Sequence, residues 1–110
     1  MKILGWKENI NEHELDCVID TLKSGGLVIF PTETVYGIGA DATNSKAVDD
    51  IFIAKGRAND NPLIVHLDNK NNIEKYAYIS NEIEQKLIDS FMPGPFTIIL
   101  KKKDIIPNNV

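Results

Sequence analysis

Two short segments carry side chains suited to binding a small polar substrate and an anion. The first, residues 30–40, reads Phe-Pro-Thr-Glu-Thr-Val-Tyr-Gly-Ile-Gly-Ala and places hydroxyls and a carboxylate directly after an apolar run. The second, residues 55–66, reads Lys-Gly-Arg-Ala-Asn-Asp-Asn-Pro-Leu-Ile-Val-His and contains Arg57, the only arginine of the chain. Arginine can bind a phosphate through two parallel hydrogen bonds, and a nearby lysine adds a mobile charge. Together the segments predict a substrate site beside an anion site.

Neither segment matches a common nucleotide-binding motif. Gly37-Ile38-Gly39 lacks the third glycine of the dinucleotide pattern, and the sequence has no Gly-x-x-x-x-Gly-Lys-Ser/Thr. Two histidines and one cysteine do not support a structural zinc site. A nucleotide would therefore have to bind in another way, and we predict no metal site built from protein ligands.

In order and spacing, the segments resemble the YrdC family, the L-threonylcarbamoyladenylate synthases. That family joins Pro-Thr-Glu-Thr-Val-Tyr-Gly to a Lys-Gly-Arg-Pro segment that ends in Asn-Pro-Leu-Ile-Val-His. A third block, residues 91–100, reads Phe-Met-Pro-Gly-Pro-Phe-Thr-Ile-Ile-Leu and is similar to the family's Phe-Trp-Pro-Gly-Pro-Leu-Thr block. The resemblance runs from about Gly25 to the end of the chain. Ala58 and Met92 replace the family's usual proline and tryptophan, and neither change removes a reacting group.

The resemblance implies a reaction that converts threonine, bicarbonate and ATP into threonylcarbamoyl-AMP and pyrophosphate. The threonine amine takes up carbon dioxide as a carbamate, and a carbamate oxygen attacks the α-phosphorus. The reactants bring negative groups together, so cationic side chains must stabilise the charge on the phosphates. Mg²⁺ would arrive with ATP, bound largely through phosphates and water. The product would pass to partner proteins that modify the adenosine beside the anticodon of tRNA.

The resemblance also implies roles for individual residues. Lys55 and Arg57 are the predicted catalytic residues, and both, with Asn61, are predicted to bind ATP. The predicted threonine-binding residues are Thr34, His66, Thr32 and Tyr36.

Taken one at a time, several of these residues have ordinary structural explanations. Thr34 alone would be a strand hydroxyl, and His66 alone would be a hydrogen-bonded residue of a sheet. Lys55 and Arg57 alone would be charges at a helix C-terminus, where the dipole favours them. Their joint occurrence in the family order favours a site instead. We expect Glu33 to be a buried structural acceptor rather than a general base.

An alternative function is that of a binding module, because YrdC-like domains have also been interpreted as double-stranded RNA binders associated with ribosomes or translation factors. Lys101–Lys103 could belong to a surface that binds RNA or tRNA, or could be a solvated strand end. The formal net charge of −4 argues against broad, nonspecific binding of nucleic acid. A third possibility is that the chain folds but has no activity alone.

The composition predicts a soluble, cytoplasmic protein that does not associate with membranes. Hydrophobic residues make up 43% and charged residues 25% of the chain, and no apolar run approaches the roughly 20 residues of a membrane span. The single cysteine, Cys17, excludes an internal disulfide. Its apolar neighbours predict a buried packing residue.

Three helices are predicted from caps and apolar spacing. Asn11 followed by Glu14 is typical of an N-cap with a capping-box carboxylate. Ser45 and Ser80 are the predicted N-caps of the second and third helices, and Gly56 is the predicted terminator of the second. The predicted apolar faces of the three helices are Leu15, Ile19 and Leu22; Val48, Ile51 and Phe52; and Ile83, Leu87 and Phe91.

Four strands complete the predicted pattern. The apolar run 27–30 indicates a strand covered on both faces, and 35–40 a second strand or extended turn whose glycines permit close backbone approach. Strands are also predicted at 63–67 and 96–100. This order of elements predicts an α/β protein, and the resemblance implies a twisted open sheet with flanking helices and a concave substrate cleft.

The family domain is longer than this chain and continues past the Pro-Gly-Pro block, with an arginine-bearing strand and a Ser-x-Asn segment. We therefore expect residues 1–110 to be the N-terminal portion of a single YrdC-like domain that is incomplete at its C-terminal end, and inactive alone. An uncovered sheet edge would favour self-association.

Overall fold

The computed structural model describes residues 11–56 and 62–110. The chain divides into two compact units: the first comprises the described residues up to Pro62, together with Asn109, and the second comprises Leu63–Asn108 and Val110. Each unit combines helices with a two-stranded antiparallel sheet, which confirms the α/β class. The prediction of a single domain over residues 1–110 stays a prediction.

The helices and strands are short. The first unit contains α1 (Glu12–Lys23), β1 (Val28–Phe30), β2 (Gly37–Gly39) and α2 (Ser45–Lys55). The second contains a 3₁₀ turn (Lys70–Asn72), α3 (Ile73–Tyr76), β3 (Ala77–Tyr78), α4 (Glu82–Phe91) and β4 (Lys101–Lys102). Within the described residues, no helix is long and apolar enough to span a bilayer.

Helix α1 begins as predicted. The side chain of Asn11 accepts a hydrogen bond from the backbone N–H of Glu14 at 2.8 Å. In return, the Asn11 amide donates to the Glu14 carboxylate at 3.2 Å. None of the α1 residues is fully buried, and Cys17 is half-buried rather than buried as predicted.

The predicted caps of the other two long helices are wrong by one residue. Asn44, not Ser45, caps α2: its backbone is extended and its side-chain oxygen accepts from the Ala47 N–H at 3.1 Å. Asn81, not Ser80, caps α4 in the same way. Serine and asparagine are both good caps, so where they are adjacent the sequence alone does not decide between them.

The predicted apolar stripe of α2 is confirmed, and it forms the core of the first unit. Ala47, Val48, Ile51 and Phe52 are all buried. The predicted terminator is also confirmed, because Gly56 is the C-cap and adopts a left-handed conformation with φ 60°. Glycine is the residue that adopts this conformation without a steric penalty.

Strands β1 and β2 form an antiparallel hairpin in which Phe30 pairs with Gly37 and Val28 pairs with Gly39. The prediction that the first strand is covered on both faces is wrong for the described structure, because Ile29 is 65% exposed. An antiparallel hairpin can leave one face uncovered, whereas a central parallel strand cannot.

The strands predicted at 63–67 and 96–100 have no hydrogen-bonded partner strand among the described residues. Both segments nevertheless show alternation, since residues 63 to 66 and 96 to 100 alternate between half-buried and exposed positions. Ile99 is 94% exposed. The alternation between half-buried and exposed positions is thus typical of an extended segment but does not identify the strand with which it pairs. The predicted self-association through a sheet edge stays a prediction.

The second unit buries Ile73, Ile88 and Ile106. The predicted apolar face of α4 is wrong in part, because Ile83 and Phe91 are exposed. Phe91 stacks on Phe96 with 5.1 Å between ring centroids. The buried residue of α4 is Ile88, which lies five residues after Ile83 and so falls outside the predicted spacing of four.

The cap assignment of α2 gives a testable prediction. Asn44→Ala removes the side-chain acceptor for the Ala47 N–H, so the free energy of unfolding should fall by about 1 kcal/mol. Ser45→Ala is the matched control, because Ser45 is exposed within the first turn, and the control should change stability by less than about 0.5 kcal/mol. Urea unfolding followed by circular dichroism measures both. A larger loss in Ser45→Ala than in Asn44→Ala would restore serine as the cap.

Candidate functional site

The loop of residues 31–36 joins β1 to β2 and carries three of the predicted site residues: Thr32, Thr34 and Tyr36. The Thr32 hydroxyl donates a hydrogen bond to the backbone carbonyl of Val35. The same hydroxyl accepts a bond from the backbone N–H of Thr34 at 3.3 Å. One side chain therefore closes the loop from within and joins two of the predicted residues, Thr32 and Thr34.

The side chain of Phe30 lies at the base of this loop. A Cβ placed on Gly37 would lie 3.0 Å from two atoms of the Phe30 ring, and one placed on Gly39 would lie 3.1 Å from a third. The ring therefore covers both glycines of the opposite strand. The same Cβ on Gly37 would lie 3.4 Å from the Thr32 methyl. The Phe30 ring, the two glycines and the Thr32 methyl thus lie close together at the surface, where the ring remains 40% exposed. We call this group the hairpin clamp.

The side chains at the end of the loop are exposed. Thr34 and Glu33 are exposed, and Tyr36 is 72% exposed. The expectation that Glu33 is a buried acceptor is therefore wrong. An exposed loop that is closed by its own hydrogen bonds can present Thr34 and Tyr36 to a small molecule.

Beyond β2, a second closed turn leads into helix α2. The Asp41 carboxylate accepts from the backbone N–H of Thr43 at 2.9 Å and from its hydroxyl at 2.6 Å. The Asn44 cap follows directly. This turn fixes where α2 begins, and α2 in turn ends at Lys55.

Lys55 is exposed at the last position of α2. Lys55 and Arg57 would project to one side if the backbone were extended there. That condition is not met at Lys55, because the residue is helical and Gly56 turns the chain with φ 60°. Arg57 and Asn61 lie outside the described residues, so their predicted roles stay predictions.

His66 lies in the second unit, in the segment after Leu63, and its side chain is exposed. An exposed histidine is accessible to a ligand. Its predicted role in threonine binding stays a prediction.

Two of the three lysines of residues 101–103 contact groups within the second unit. Lys102 donates from Nζ to the carbonyl of Ile106 at 2.8 Å. The Lys103 ammonium donates to the carbonyl of Glu74 and lies 5.0 Å from the centroid of the Tyr78 ring. These contacts favour a strand end that is bound to its own unit over a basic surface for RNA.

Protein ligands for a metal are not grouped in the described ranges: 11–56 and 62–110 contain no cluster of three or more histidine, cysteine, aspartate or glutamate side chains.

The hairpin clamp is the feature that sequence reasoning missed. The sequence pattern assigns Phe30 only to a strand, and Gly37 and Gly39 only to close backbone approach. A signal is present, because the two glycines are two residues apart and so face the same side of a strand. Because glycine has no side chain, the ring of a phenylalanine on the preceding strand can lie over these two positions.

Comparison with known proteins identifies the family to which the chain is similar. The sequence pattern of the Sua5/YciO/YrdC family, which carries the description telomere recombination, matches residues 20–110. A putative threonylcarbamoyl-AMP synthase of Methanocaldococcus jannaschii is 48% identical over 105 residues, which are 92% of this chain and 50% of the relative. The threonylcarbamoyl-AMP synthase of Pyrococcus abyssi is 42% identical over 96% of this chain and 31% of its own length.

Solved structures give the same result. Pyrococcus abyssi Sua5 complexed with L-threonine is 42% identical and superposes with a TM-score of 0.83 over 93% of this chain and 30% of its own. A doubly substituted variant of the same protein gives a TM-score of 0.84. The chain thus spans between about a third and a half of the length of these relatives. By sequence pattern, identity and fold, the chain belongs to the Sua5/YciO/YrdC family.

Proposed function

We propose that this chain supplies part of a threonylcarbamoyl-AMP synthase, which combines threonine, bicarbonate and ATP into threonylcarbamoyl-AMP and pyrophosphate. The observation that carries the proposal is the closed loop 31–36, found in a chain that is 42% identical to a Sua5 solved with L-threonine. The curated relatives carry the name of this activity.

Threonine would bind through groups that the loop presents. The Thr34 hydroxyl can donate to and accept from the amino acid, and the Tyr36 hydroxyl can do the same at the loop end. Both side chains are exposed, so binding would remove them from water. His66 can donate or accept according to its tautomer. A bound threonine hydroxyl would then meet polar partners rather than apolar side chains.

ATP would bind beyond the end of helix α2, through Lys55, Arg57 and Asn61. The carboxyl end of a helix carries a partial negative charge that disfavours phosphate. Lys55 stands at that end, and its cation offsets the charge, while Arg57 adds a planar, bidentate donor. In these roles both residues stabilise charge on the phosphates as the carbamate oxygen attacks. Mg²⁺ would accompany the phosphates of ATP.

The second candidate, a double-stranded RNA-binding module, has weaker support. Two of the lysines of residues 101–103 donate to backbone carbonyls of their own unit, and the chain is acidic overall, with a formal net charge of −4. Transfer of the product to tRNA-modifying partners, and the cytoplasmic location, stay predictions.

The threonine site gives a binding prediction. L-threonine should bind the chain at least about tenfold more tightly than L-valine, because valine would leave a polar group unpaired. Thr34→Ala and His66→Ala should each weaken threonine binding by a similar factor. Calorimetric titration measures these affinities. Thr43→Ala is the control, because Thr43 lies in the turn after β2, outside the loop, and it should bind threonine normally. Equal affinity for threonine and valine would remove the proposed role of both residues.

The anion site gives an activity prediction. Because the chain spans 50% of the Methanocaldococcus jannaschii relative, a chimera in which the chain replaces the aligned half of that relative is assayed. Pyrophosphate release that depends on threonine and bicarbonate should fall by about 100-fold in Arg57→Ala, as expected for loss of one stabilising donor. Arg57→Lys should also be impaired, because it keeps the charge and loses the bidentate geometry.

The matched control for this assay is Lys46→Ala. The Lys46 side chain is 85% exposed and pairs with Asp50 on the surface of α2, so its removal should leave the rate unchanged. Near wild-type rates in both Arg57 variants would contradict the assignment of Arg57. A folded chimera without activity, beside an active relative, would contradict the proposed function itself.

A further inference from the structure

We propose that Thr32 is a positioning residue: it holds the loop that presents Thr34 to threonine, and it does not itself contact the substrate. The inference rests on the proposed function and refines it. Thr34 is then the residue of the loop that touches threonine, and Thr32 acts through it.

The Thr32 hydroxyl already uses its proton and one of its two lone pairs within the loop. A threonine hydroxyl has one proton to donate and two lone pairs with which to accept. Its proton goes to the carbonyl of Val35, and one lone pair accepts from the N–H of Thr34. A substrate that needed a donor at this position would have to break the bond to Val35.

The methyl group of Thr32 is committed as well. It faces Gly37, where an added Cβ would lie 3.4 Å from it. A β-branched side chain has few accessible rotamers, so turning the hydroxyl toward a ligand would also move the methyl. Both branches of the side chain therefore hold the same orientation.

The two hydrogen bonds of Thr32 reach the backbone on both sides of the Thr34 side chain. They join the N–H of Thr34 itself and the carbonyl of the next residue, Val35. Fixing these two groups restricts the peptide units around Thr34, and so fixes the direction in which its side chain leaves the loop. A residue placed in this way positions a ligand-binding group without touching the ligand.

Two quantities measured in the 110-residue chain test whether Thr32 holds the loop. The first is the affinity for L-threonine, from calorimetric titration. The second is the rate at which the Thr34 amide proton exchanges with water in the absence of ligand, from NMR. Thr32→Val keeps the shape of the side chain and removes the hydroxyl. It should weaken threonine binding by about tenfold, the effect of losing about one hydrogen bond, and should speed exchange at Thr34.

Two further variants control for a general structural effect. Thr32→Ser retains the hydroxyl and should restore both the affinity and the slow exchange. Thr43→Val removes a hydroxyl that donates to Asp41 at 2.6 Å in the turn after β2, and it should alter neither quantity. If the NMR spectrum of Thr32→Val lost its dispersion and so showed an unfolded chain, both quantities would be measured on Thr32→Ala instead.

The outcomes are distinct. Weaker binding together with faster exchange at Thr34 supports the inference, provided that isotope-filtered NMR of the wild-type chain shows no contact between bound L-threonine and the Thr32 side chain. Such a contact overturns it. Weaker binding with unchanged exchange indicates direct contact with the substrate and overturns it. Unchanged binding overturns it as well and leaves the proposed function standing. Failure of the wild-type chain to bind threonine overturns both.

Discussion

The candidate site depends on the packing of the Phe30 ring over Gly37 and Gly39 of the opposite strand. Cβ atoms at these glycines would lie 3.0 and 3.1 Å from ring atoms, so neither position accepts a side chain without moving the ring. Because Gly37 and Gly39 have no side chains, the Phe30 ring can lie over both of them. The paired strands that carry these residues flank the loop that contains Thr34.

Above this packed base, the loop is held by local contacts. The Thr32 hydroxyl bonds residues two and three positions further along the chain, and the Asp41 carboxylate bonds Thr43 in the turn after β2. The Asn44 cap then sets the start of α2, whose buried stripe anchors the helix that ends at Lys55. A series of short-range contacts thus positions both the loop and the lysine, and each can be removed by one substitution.

Much of this arrangement could be predicted from the sequence, because it is local. The helix at Asn11, the stripe of α2 and the glycine that ends it all follow from spacing and residue type. The errors arise where the choice is not decided locally. Asn44 and Ser45 are adjacent and both suitable as caps, and the burial of Ile88 rather than Ile83 depends on tertiary packing.

The strand predictions show the same limit. Residues 96–100 alternate between half-buried and exposed positions as a strand should, yet a ladder needs a second strand, and alternation does not name it. The candidate site residues are predicted from the family resemblance and not from periodicity. Thr34 and His66 are identified by the order of motifs, and both side chains are exposed and so accessible to a ligand.

The most direct test of the proposed site is to locate threonine on the chain. Isotope-filtered NMR of the labelled chain with unlabelled L-threonine detects protons of the protein that lie close to the ligand. We expect contacts from the threonine methyl and α-proton to Thr34 and Tyr36. Contacts confined to other parts of the chain, with none to the loop 31–36, would contradict the proposed site.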